Sequence, residues 1–210
     1  MSLTTLYRLS GTALLLGSLI AACGVLLKLG SGLDISNPLW VPGFLLVLVG
    51  STLLVLGLPG MFVQQISKAG ILGVVGFVIF SCALLILGIS SPAINAFILP
   101  AFARVSSQEP AALAAFFITG DLLQFVGTLV LGIALMRARV VPTWVGILVI
   151  LSGVVLLGGR ALQAPKFVYI GLSPLLLYIA LCWSGYMLWS RQGARGVLTQ
   201  TTTSASHIPN

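Results

Sequence analysis

Residues 111–136 read "AALAAFFITGDLLQFVGTLVLGIALM". A hydrocarbon core about 30 Å thick needs a helix of about 20 apolar residues to cross it, and this run supplies one. Its single charge is Asp121, in a chain of 210 residues with only three acids. A carboxylate at mid-bilayer costs about 2.5–3.5 kcal/mol on insertion scales. Asp121 therefore needs a polar partner, a water-filled cavity or a proton. Gln124 and Thr128 follow at i+3 and i+7, which puts all three on one helical stripe. Gly120 and Gly127 form an adjacent stripe that lets another helix approach closely. The polar face of this run has to look into a bundle.

The rest of the chain agrees. It is 59% hydrophobic and 6% charged, with mean hydropathy +1.17, where soluble domains average about 25% charged residues. Further apolar runs lie at 9–27, 39–58, 69–89, 141–159 and 167–189. In lipid every backbone amide needs an internal partner, so such runs are helices, and they lack the alternation of barrel strands. The fold class is all-α, a polytopic transmembrane bundle of six helices. Residues 1–196 form one domain, and the polar, Thr-rich stretch 197–210 is expected to be a disordered tail.

Between helices three and four stands "SSPAINAFILPAFARVSSQ", residues 90–108. Pro92 and Pro100 bracket an apolar piece too short to span, which reads as a short interfacial or re-entrant segment, with a structured loop as the plain alternative. Ser106 and Glu109 have capping-box spacing and would start helix four a turn early. The two halves of the chain also suggest a 3+3 inverted repeat. The interval from Gly11 to Lys28 equals that from Gly120 to Arg137, and "VPGF" at 41–44 parallels "VPTW" at 141–144. Inverted repeats place binding sites at the repeat interface. Chance alignment of Leu/Val/Gly-rich segments is the competing explanation.

The basic residues sit mostly at the ends of apolar runs, as topology-setting charges do, and are not gathered into a nucleic-acid footprint. Anionic lipid headgroups are their expected counter-charge. With the N-terminus inside, inner segments carry Arg8, Lys68, Arg137, Arg139, Arg191 and Arg195, and outer ones carry Lys28, Arg104, Arg160 and Lys166. Both termini are then cytoplasmic, and the size and style of the chain fit a bacterial inner membrane. Arg8, the run after it and "AAC" at 21–23 resemble a lipoprotein signal with Cys23 lipidated, but the apolar run continues past Cys23, which favours a plain first helix. Trp40, Trp144, Trp183 and Trp189 read as interfacial anchors.

Catalysis finds little support. The one histidine, His207, lies in the tail, and the three cysteines have no motif spacing, so neither a metal site nor a cofactor is expected. No nucleotide motif occurs. The stripe on helix four points instead to a ligand-binding set. Arg160 at the end of helix five can reach Asp121. Tyr169, Ser173 and Tyr178 on helix six, with Asn95 and Arg104 from the connection, can complete a polar pocket. Pro174 frees a carbonyl near Ile170. The candidate site is thus Asp121, Gln124, Thr128, Arg160, Tyr169, Ser173 and Tyr178, and its plain alternative is Asp121 as structural glue with no ligand.

Three functional readings follow. The first is a membrane protein that binds or translocates a small molecule or lipid. The second is a non-catalytic subunit packed through Gly/Ala seams onto a membrane-protein partner or another copy of itself. The third is a lipid-modifying enzyme in which one carboxylic acid moves protons.

Overall fold

The computed structural model describes the backbone of residues 3–102, 111–139 and 141–205, and all regular structure among these is helical. Six helices are long and apolar enough to cross a membrane: α1 (Tyr7–Gly30), α2 (Trp40–Val63), α3 (Gly70–Ala101), α4 (Ala111–Ala138), α5 (Thr143–Ala161) and α6 (Phe167–Ser190). The expected all-α bundle of six spans is what forms. The last helix carries its backbone on to Ala205, into the stretch read as a tail. Side chains from 191 onward lie outside the described residues, as do Arg104, Ser106 and Glu109.

The turn between α2 and α3 shows how sparingly the chain is folded. Helical backbone runs from Trp40 to Ala83, and the one non-helical residue inside it is Gly70, at φ 59°, ψ −158°. In a straight helix Phe62 and Phe77 would stand about 22 Å apart. Their rings stack instead at 4.3 Å between centroids, so the chain doubles back at Gly70. Glycine adopts this conformation without the Cβ penalty of other residues. A side chain there would meet nothing within 4 Å, so it is the backbone conformation of the turn that calls for glycine at this position.

Each span packs on its neighbours in sequence, and α6 closes the ring against α1. Water does not drive helices together inside lipid, so close approach at small residues does the work. A Cβ on Gly17 would come within 2.7 Å of the Gly50 carbonyl oxygen, and one on Gly24 within 2.7 Å of the Gly43 carbonyl oxygen, which seams α1 to α2. Gly76 and Gly127 make the same kind of seam between α3 and α4, each with a would-be Cβ 2.8 Å from backbone of the facing helix. At the end that carries the N-terminus, the half-exposed rings of Trp144, Trp183 and Tyr186 contact one another at 5.1 and 5.8 Å, as interfacial anchors do.

The stretch read as a separate interfacial or re-entrant piece is the far end of α3. Helix continues through Pro92 and Pro100 to Phe102. Two wide π-helical turns, Leu84–Ser90 and Ile94–Ile98, each precede one of these prolines, and a third, Phe167–Leu172, precedes Pro174 in α6. A proline ring collides with the carbonyl four residues back. Widening the preceding turn to i→i+5 bonding, as in Ser91 N–H to Ile86 O and Ser173 N–H to Val168 O, relieves that collision. The helices therefore widen instead of breaking. Both proline-adjusted regions sit at the same end of the bundle, whereas an inverted repeat would put them at equivalent points of α3 and α6. The fold does not confirm the 3+3 repeat.

Candidate functional site

At the end of the bundle bearing residues 31–39 and 162–166, the helices part around a cavity of about 570 Å³. Six of the seven residues singled out from sequence line it. Asp121 and Gln124 come from α4, Arg160 from α5, and Tyr169, Ser173 and Tyr178 from α6. The seventh, Thr128, does not reach it. The Thr128 hydroxyl donates to Gln124 O at 2.7 Å and Phe125 O at 3.0 Å, and a Cβ on Gly153 would run into that hydroxyl. The stripe on α4 is thus divided. Its upper part faces the void, and its lower member packs against α5.

Asp121 is 4% exposed, and its Oδ2 is ion-paired with Arg160 Nη1. No donor other than this guanidinium reaches that oxygen among the described residues. The Arg160 side chain keeps 40% of its surface exposed. A guanidinium carries five N–H donors in a planar fork, so pairing through Nη1 leaves much of it free to meet other groups. The glue reading and the pocket reading both capture part of this geometry: the carboxylate is paired, and the pair stands in the wall of a hollow.

The proline-adjusted turn of α6 places that helix's contribution. Ser173 follows the wide turn, and its hydroxyl donates across to Ser152 O of α5 at 2.8 Å. This bond fixes α6 against α5 where the helical repeat changes. Tyr169 packs over Gly159, where a Cβ would lie 3.1 Å from the tyrosine Cβ. Ile170, whose carbonyl Pro174 was expected to free, is also in the wall.

The sequence reading missed two principal members of the site. Lys28 was taken as a topology charge and Trp40 as an interfacial anchor, but both line the cavity and both are 8% exposed. Trp40 Nε1 donates to Asn95 O at 3.0 Å, and Asn95 Nδ2 donates to Ser91 O at 2.8 Å. The first bond ties α2 to the widened end of α3, and the second lies within α3. The Trp40 and Phe44 rings lie 4.7 Å apart, and Lys28 Nζ stands 4.2 Å from the Phe44 centroid. Lys28 has no carboxylate partner among the described residues; Asp121, the acid in the same wall, is taken by Arg160. A signal for Lys28 did exist. Leu14, Ser18, Ala21 and Val25 are the buried face of α1, and Lys28 is the next position on that face at helical spacing.

Comparison with family models, curated proteins and solved structures finds no match to this chain. The geometry has to speak for itself. Among the described residues no group of three His, Cys, Asp or Glu side chains lies close enough together to hold a metal ion. The wall offers charged groups of both signs at its polar end and aromatic and aliphatic surface from Phe117, Leu84 and Leu87 beside them. Apolar concavities with a few placed polar groups, of about 300–1,000 Å³, are the usual form of a small-molecule site.

Proposed function

We propose that this membrane protein binds or translocates a small molecule or a lipid in the cavity around Asp121. The observation that carries the reading is a hollow of about 570 Å³ beside an ion pair whose carboxylate is buried. A subunit that only packs against partners has no use for a hollow at one end of its bundle, where missing contacts weaken the packing. A lipid-modifying enzyme would need Asp121 free to pass a proton, and Arg160 occupies it. We place the protein in the cell membrane with both termini cytoplasmic and the cavity open to the outside. Three of the basic residues read from the sequence as outer charges, Lys28, Arg160 and Lys166, line the cavity wall. Discounting them as loop charges strengthens the positive bias of the other end.

The test fills the void. Ala114 is half-buried in the wall, and Ala114→Trp places a large ring there. Wild type released from nanodiscs is expected to carry a bound species in native mass spectrometry, and Ala114→Trp to lose it at unchanged melting temperature. Equal occupancy in both proteins, or none in either, would remove the reading.

A further inference from the structure

We propose that the cavity selects an anionic amphiphile: a carboxylate or phosphate head held by Lys28 and Arg160, with Lys166 at the rim, and an apolar body lying along Phe117, Leu84 and Leu87. The proposal rests on the cavity being a ligand site and names what that ligand must be.

Charge balance is the first observation. Three cations, Lys28, Arg160 and Lys166, face a single carboxylate, Asp121. That carboxylate neutralises Arg160, which leaves Lys28 and Lys166 without a carboxylate among the described lining residues. An exposed lysine in this position would mean little, because water and salt screen it. Lys166 is exposed in that way. Lys28 is not, being 8% exposed. Its stem passes beside Gly43, where a Cβ would lie 3.0 Å from Lys28 Cγ, and its head group rests on Phe44 and borders the void. The ring face supplies part of what the cation needs, but no hydrogen-bond acceptor faces the ammonium among the described residues. Buried charges are normally paired, so an ammonium held this way lacks the partner that an arriving anion would provide.

The distribution of surface is the second observation. The cations gather toward the end bearing residues 31–39 and 162–166, and the wall below them is mainly aliphatic, with Leu84 and Leu87 of α3 and Leu177 of α6 beside the uncharged Gln124 and Tyr178. A wholly polar anion would leave that lower surface unused, and a wholly apolar guest would leave Lys28 without a counter-charge. Only a molecule with both characters satisfies both parts. Two sources fit this chemistry, a single-chain anionic lipid entering from the bilayer and a soluble organic anion entering from the aqueous side.

The experiment uses the full chain in nanodiscs of zwitterionic phospholipid, with empty nanodiscs as background. Radiolabelled dodecanoate and dodecyl phosphate are titrated in parallel with dodecanol and dodecyltrimethylammonium of the same chain length. Benzoate forms a separate competition arm. Both anions are expected to saturate one site and to bind about tenfold tighter or more than the alcohol or the cation, the scale of one charge-assisted contact. Lys28→Met should remove that preference and Lys28→Arg should keep it. Competition by benzoate would identify the soluble source, and its failure to compete would identify the bilayer source; both results uphold the assignment. Lys28→Met should melt no lower than wild type, because it removes an uncompensated buried charge, so its loss of binding is not a loss of fold. Equal binding of dodecanoate and dodecanol, or unchanged preference in Lys28→Met, would overturn the anion assignment and leave a ligand pocket standing. Saturable binding of none of the probes would overturn the pocket reading beneath it.

Discussion

The two ends of this bundle are built on opposite plans. Toward the end that bears the N-terminus, helices meet at backbone contact, as Gly11 does with Gly185 and Gly132 with Gly146. At the other end the meeting residues are Lys28, Trp40, Asn95, Arg160 and Tyr169, and the prolines of α3 and α6 widen their own helices. Bulky polar residues hold the helices apart and leave a hollow. One chain thus uses dispersion across small residues along its seams, which between α1 and α2 reach up to Gly24 and Gly43 at the cavity end, and ion pairing and hydrogen bonds among the helices that part around the hollow. The lesson is that in lipid, where apolar residues have no water to escape, side-chain size and polar pairing decide where a bundle is tight.

That contrast can be broken at several points. The largest effect is expected in the seam between α1 and α2. A Cβ on Gly50 would lie 2.5 Å from Ala21 N and 2.6 Å from Gly17 O, both backbone atoms that cannot swing aside. Gly50→Val should therefore cost about 3 kcal/mol or more, at the top of the range for overpacking, seen as a steep fall in melting temperature and membrane yield. The far larger change Ala114→Trp at the hollow end should be tolerated. If the two behave alike, the seam and the hollow do not differ in packing.

Arg160→Met probes the hollow end itself and is expected to cost about 2 kcal/mol, because it leaves the carboxylate of Asp121 buried without a partner; the value is discounted from that of fully buried pairs for the exposure of Arg160. Asp121→Asn should cost less, since Arg160, 40% exposed, can turn to water. Thermal unfolding of the two single variants and the double variant gives the coupling, and equal costs for the two singles would contradict the asymmetry.

The smallest effect lies in the loop that rims the cavity. Asp34 Oδ1 accepts from Ser36 N at 3.0 Å and Ser36 Oγ at 2.8 Å, and these bonds hold its carboxyl below the usual aspartate value. A depressed folded value means that the stabilisation is complete above the ordinary value and fades as pH falls through the depressed one. Hydrogen exchange at the Ser36 amide should therefore be protected near neutrality and lose protection below about pH 4. In Asp34→Ala it should be fast throughout. pH-independent protection would show that the turn does not depend on this carboxylate.

The site was legible where one polar residue stood out against an apolar background. Asp121 and Gln124 were such cases, and spacing alone put them on one face; Arg160 entered as a span-end base long enough to reach Asp121. Lys28 escaped because a basic residue near a span end has an ordinary explanation in topology, and only the partners around α1 reveal that its face is the buried one. Trp40 escaped for the same reason. Thr128 was drawn in by correct spacing and turned out to pack against α5, because a stripe on a helix does not say how far along its length a cavity extends. The extension of α3 through Pro92 and Pro100 was hidden by the usual reading of proline as a helix breaker, which the widened turns circumvent.

By itself the sequence determined that this chain is an all-helical bundle of six membrane-spanning segments with an inward-facing acid, because apolar length and backbone hydrogen bonding in lipid permit little else. Only the tertiary structure decided that the acid pairs with Arg160 at the edge of a hollow, that Lys28 faces that hollow without a carboxylate, and that Gly70 is the turn. Those outcomes depend on which helix faces stand opposite one another, and helical periodicity fixes a face without naming its neighbour.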